Sequence, residues 1–90
     1  MNIYLSAWFS RFARKEKISH QLLVDAVQRA EAGLMDADLG SGVIKQRVAR
    51  PGEGRSKGYR TILLFRKSHR CFFVFGFAKS EMENLSSIEQ

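Results

Sequence analysis

The chain is 90 residues long, which allows one hydrophobic core and excludes two, since a domain of this size hides only about two-thirds of its unfolded surface. Hydrophobic residues supply 44% of it and aromatic residues 11%, which excludes a disordered chain, while a net charge of +6 and a pI near 10.0 point to an anionic partner. A single cysteine, Cys71, excludes an internal disulfide and a multi-cysteine zinc cage, and it fits a reducing compartment.

Asn2 to Leu5 read as a short edge strand. Ser6 then stands as the N-cap of a helix in which Trp8, Phe9, Phe12 and Ala13 recur at helical spacing and Arg11, Arg14 and Lys15 turn outward. Arg11 arrives too soon for the apolar region of a signal peptide, and no apolar run approaches the ~20 residues that cross a bilayer. A cytoplasmic protein without a membrane partner is expected. Ser19 caps a second helix, with Leu22, Leu23, Ala26, Val27 and Ala30 in one stripe and Gly33 where the helix end wants a left-handed residue.

"MDADLGSG" reads as turns, with Asp36 and Asp38 as turn formers rather than an acid–base pair. Three β-like runs follow, Val43 to Arg50, Tyr59 to Lys67 and Cys71 to Ala78, joined by "PGEGRSKG" and "KSHR" as hairpin connections. A short final helix starts near Ser80, with Met82, Leu85 and Ile88 apolar. These elements predict one α+β domain over residues 1–90, with the N-terminal helices packed on a twisted antiparallel sheet and a short C-terminal helix.

Alternation assigns faces. In the first run Val43, Lys45, Arg47 and Ala49 point one way while Ile44, Gln46, Val48 and Arg50 point the other, the side the helices are expected to cover. The second run is apolar on both faces, Ile62 and Leu64 against Leu63 and Phe65, as a central strand requires. The charge is concentrated in these strands: Ile44 to Arg70 hold nine basic residues against Glu53 alone, whereas the rest of the chain holds six basic and eight acidic. Any one surface cation usually does no more than solvate a fold. Nine in one hairpin-rich segment repel each other, and a phosphate-rich ligand supplies the missing counter-charge.

Other constellations carry less. "GEGRSKG" loosely resembles a phosphate cradle, but that motif leads from a strand into a helix, and here a strand follows, so Gly52, Gly54 and Gly58 read as turn residues. His20 and His69 lie far apart, which argues against a metal site. His69 could move protons but reads better as a solvated turn residue. Cys71 reads as a small apolar strand residue rather than a nucleophile. Tyr59, Phe65 and the aromatics of "CFFVFGF" offer stacking surfaces for bases, or simply core.

The progression "IKQRVA", a glycine-rich turn, "GYRTILLFRK" and "FVFGFAKSEMENL" resembles the RelE/ParE superfamily of type II toxins over nearly the whole chain, with the HigB-like branch nearest. The resemblance implies the RelE-like toxin fold and a ribosome-dependent mRNA endonuclease, silenced by a cognate antitoxin that is a DNA-binding protein encoded next to it. The partners are then the antitoxin, the ribosome and mRNA. The ribose 2′-hydroxyl attacks the adjacent phosphorus in such enzymes, with neither metal nor cofactor.

Carried over residue by residue, the resemblance places the catalytic set on Lys45, Arg47, Arg60 and Lys79. Arg60, from "GYR", would fork the scissile phosphate, and Lys45 or Lys79 would move the 2′ proton. Arg50, Arg55, Lys57, Tyr59 and Arg66 are the expected RNA contacts. After Lys79 the chain departs from the RelE pattern: Ser80 replaces an arginine, and Ser86 stands near the place of a tyrosine. HigB-like relatives also lack both groups. The alternatives are a non-catalytic protein of the same fold, either a ParE-like gyrase poison or a decayed toxin that only binds antitoxin or RNA, and an RNA-binding protein unconnected to toxins.

Overall fold

A computed structural model describes residues 1–50, 54–67 and 69–78, and of residues 54–57 only the backbone. Lys79, the helix expected from Ser80, residues 51–53 of the expected hairpin connection, and the side chains of Arg55 and Lys57 therefore lie outside the described residues.

The chain runs β1 (Asn2–Leu5), α1 (Ala7–Glu16), α2 (His20–Glu31), β2 (Ala37–Gly40), β3 (Val43–Arg50), β4 (Gly54–Arg66) and β5 (Arg70–Ala78). Both helices start where serine can satisfy a free amide: the Ser6 hydroxyl accepts from Phe9 N–H at 3.0 Å and that of Ser19 from Leu22 N–H at 3.3 Å. Lys17 ends α1 in the left-handed conformation, its N–H turned back to the Ala13 and Arg14 carbonyls. Gly33, at φ +84°, follows Ala32, the C-cap of α2, as expected.

The five strands form one sheet in the order β1-β5-β4-β3-β2. The expected α+β architecture is present, but the sheet is mixed rather than wholly antiparallel, because β1 pairs with β5 in parallel. The chain leaves β1, crosses one face through both helices and re-enters at the opposite edge, and so long a connection leaves the direction of β1 free of any hairpin constraint. β4 is central and antiparallel to both neighbours.

The turn-like segment before Val43 contains a strand. Ala37 pairs with Lys45 and Asp38 with Ile44, and the hairpin closes through Gly40, Ser41 and Gly42, all at positive φ. Gly42 has no alternative, since a Cβ there would lie 2.5 Å from the Phe65 carbonyl oxygen.

The helices cover one face only, α1 over β5 and β1, α2 over β3. Phe9 is fully buried against Phe73, ring centroids 5.1 Å apart, and the same core includes Ala13, Leu23, Val27, Ile44, Val48 and Leu63. Gly76 lies under α1, where a Cβ would meet the Phe9 and Phe12 rings at 3.1 and 3.2 Å, so the strand can pass beneath those rings because this position has no side chain.

Candidate functional site

Among the described residues two polar side chains, Gln46 and Thr61, are buried under the covered face, and both are satisfied. Gln46 is 1% exposed; its amide nitrogen donates to the Ala26 and Leu34 carbonyls at 3.0 and 2.9 Å, and its oxygen accepts from Arg47 N–H at 3.0 Å. Thr61, its partner on β4, donates its hydroxyl to the Gln46 carbonyl at 2.8 Å. These bonds tie α2 and the loop after it to β3 directly beneath Arg47. The Arg29 guanidinium adds a bond to the Arg47 carbonyl at 2.6 Å while pairing with Asp25 at 3.0 Å.

On the opposite face, which neither helix covers, stand Lys45, Arg47 and Arg60. Arg47 and Arg60 are cross-strand partners, which puts their Cα atoms about 4.5–5.5 Å apart. Lys45 lies two positions along β3, about 7 Å from Arg47, between Ala37 and Ile62. The expected cluster on one surface is thus assembled for these three residues, while the fourth, Lys79, lies outside the described residues. Arg47 is 44% exposed and Arg60 only 18%.

An acidic residue completes the cluster. Asp36, just before β2, places Oδ1 2.7 Å from Nε of Arg47 and Oδ2 3.6 Å from Nε of Arg60. Sequence reasoning assigned it to a turn, whereas the β2–β3 hairpin brings it onto the cationic face, its N–H donating to the Lys45 carbonyl at 3.0 Å. A signal was available, since "DADLGSGVIK" closes on itself as a hairpin once its glycines are read as a tight turn. Asp36 and Arg47 also border a cleft of about 350 Å³ with Arg29, Met35 and Gln46.

The expected RNA contacts divide. Tyr59 is a correction: it is 1% exposed and lies on the covered face, its hydroxyl near the Glu16 carboxylate at 3.2 Å and its ring edge-on to Phe12. The cause is register, since Tyr59 alternates in phase with Thr61 and Leu63, both buried, so its ring is closed to a base. Arg50 is half-buried with its guanidinium 5.8 Å from the Tyr59 ring centroid, at the bulged end of β3. Arg66 is exposed six positions beyond Arg60, about 20 Å along β4. His69 is an exposed turn residue at φ +56° beside the same far end. Cys71 is fully buried, and burial, reinforced by Glu31, pushes its thiol up to about 12, so it is inert as a nucleophile at neutral pH. Among the described residues no helix is long and apolar enough to cross a membrane.

Fold and face together define a small basic α+β protein whose sheet is packed on one side and cationic on the other. Over residues 1–90 the chain matches the family described as the RelE toxin of the RelE/RelB toxin–antitoxin system, and it belongs to that family. It is a toxin of a toxin–antitoxin system, with an antitoxin as partner. No curated protein matches the chain.

Proposed function

We propose that the chain is a HigB-like, ribosome-dependent mRNA endonuclease that blocks translation in the cytoplasm by cutting at the ribose 2′-hydroxyl without a metal. One observation supports this above the rest: Lys45, Arg47 and Arg60 share the open face, and the two arginines oppose each other across β3 and β4. Toxins of this family are in general endoribonucleases. On this reading Arg60 and Arg47 hold the scissile phosphate as negative charge grows on its oxygens. Lys45 or Lys79 takes the 2′ proton as the 2′ oxygen bonds to phosphorus and the P–O5′ bond breaks, and the departing 5′ oxygen ends protonated. Arg50, Arg55, Lys57 and Arg66 grip the RNA backbone, and the adjacent antitoxin covers the cationic face or blocks docking on the ribosome.

The test is induced expression followed by mapping of message 5′ ends. Growth arrest with new ends inside translated regions is expected, and Arg60→Ala should lower cleavage about 10²–10³-fold. Ser80 and Ser86, in place of the arginine and tyrosine of the RelE pattern, favour the non-catalytic alternative. Intact messages would favour that alternative: without arrest a decayed toxin that only binds antitoxin or RNA, and with DNA-damage signalling a gyrase poison.

A further inference from the structure

Asp36 stands between the two arginines assigned to the phosphate. Its two oxygens take the Nε edges of both guanidiniums, at 2.7 Å for Arg47 and 3.6 Å for Arg60. To an arginine, a carboxylate and a phosphodiester offer the same thing, a pair of anionic oxygens spaced to accept a fork of N–H donors. The carboxylate, with one oxygen to the Nε of each arginine, therefore occupies donors that a substrate phosphate would use.

A second observation concerns Arg60 itself. Its Nη1 is buried and has no acceptor among the described residues. A buried cationic donor without a partner is unfavourable, and a phosphate arriving from solvent cannot touch an atom hidden from solvent. For Nη1 to donate to RNA the guanidinium must turn outward, and the contact it then leaves is the long one to Asp36. A carboxylate that only aimed the arginine would leave its terminal donors turned to solvent, whereas here Nη1 is turned inward.

The Asp36 carboxylate can give way. Its side chain is 23% exposed, and the main-chain anchor of the residue, Asp36 N–H to the Lys45 carbonyl at 3.0 Å, does not involve the side chain. We propose that Asp36 is an internal competitor of the RNA phosphate, which occupies the Nε edges of Arg47 and Arg60 in the free protein and is displaced when a phosphodiester binds. The proposal rests on the reading of these arginines as phosphate-binding, and it adds a built-in brake: RNA must outcompete a tethered anion before the site forms.

The test is an NMR titration of isotopically labelled protein, which reads weak and tight binding alike, with a short single-stranded RNA made uncleavable by 2′-O-methylation. Asp36→Asn should tighten binding about three- to tenfold at fixed ionic strength. Asp38→Asn removes the same charge two residues away, where Asp38 accepts from Gly40 N–H at 2.9 Å, and should tighten it twofold or less. In wild-type protein the Asp36 carboxyl carbon resonance should move toward that of a solvated carboxylate as RNA is added, a readout that holds even if the variant does not fold. An unmoved resonance while RNA binds, or equal effects of the two Asn variants, overturns the competition. If Arg60→Ala binds RNA as wild type does, or wild type and Asp36→Asn both fail to bind, the phosphate-binding reading itself is wrong. Weaker binding by Arg60→Ala beside an unchanged or weakened Asp36→Asn leaves that reading standing and removes only the brake.

Discussion

The two faces of β3 and β4 are built from alternating residues of the same strands, yet they solve opposite problems. On the covered face Ile44, Val48 and Leu63 are buried to 4% exposure or less, and the polar Gln46 and Thr61 have their hydrogen bonds made. On the open face like charges stand side by side around the Asp36 carboxylate, and among the described residues Nη1 of Arg60 has no acceptor. The contrast separates residues that hold the fold from residues that, on the proposed reading, are completed by RNA. A covered-face substitution should therefore be read in stability and an open-face substitution in RNA.

The largest effect on stability belongs to α1. Phe9→Ala removes a ring with 0% exposure that lies against Phe73 and Phe12, and should cost about 3–5 kcal/mol in urea unfolding. A loss below about 1 kcal/mol would mean that the helix is not held on the sheet by this ring. Next is Gln46→Leu, close in volume but without donors. It leaves the Ala26 and Leu34 carbonyls and the Arg47 N–H short of a partner, and should cost about 1–3 kcal/mol. Because it lies beneath Arg47, this variant also asks how far the inner layer supports the outer one.

Much of this division was legible in the sequence. The serine caps, the apolar stripes and the period-two alternation of "VIKQRVAR" depend on local geometry, and they placed both helices and separated Lys45 and Arg47 from Ile44 and Val48. Asp36 was not legible in the same way. It lies eleven positions from Arg47 and twenty-four from Arg60, and the gap closes only because Ala-Asp-Leu-Gly, a segment without a β-branched residue, forms a strand by pairing with β3. Tyr59 misled for the opposite reason. An aromatic beside an arginine suggests base stacking, but the alternation that placed Leu63 on the covered face, carried back four residues, places Tyr59 there as well.

Cys71 gives a covered-face prediction that appears only with pH. Its thiol titrates near 9.0 when unfolded and is pushed up to about 12 in the fold, so between these values the folded chain keeps a proton that the unfolded chain has lost. The resulting stability is complete below pH 9 and is lost as pH rises toward 12. Wild-type protein should lose more stability over this interval than Cys71→Ala, whatever their difference at pH 7. Parallel pH profiles for the two proteins would show that the thiol is not held neutral by burial.

The smallest expected change in stability is at Lys45, and there the comparison is sharpest. Its side chain is exposed on the open face, so Lys45→Ala should stay within about 0.5 kcal/mol of wild type in unfolding. Removing a like charge from beside Arg47 relieves repulsion, so a small gain is as consistent with the geometry as a small loss. In RNA binding the same substitution removes one phosphate contact, and the slope of log affinity against log salt should fall in magnitude by about 1. A matched substitution at Lys15, exposed on α1, should leave that slope unchanged. If both lysines altered the slope equally, RNA would be responding to net charge rather than to one face of the sheet. If Lys45→Ala destabilised the fold as Gln46→Leu does, the two faces would not be separable in the way the strand alternation implies.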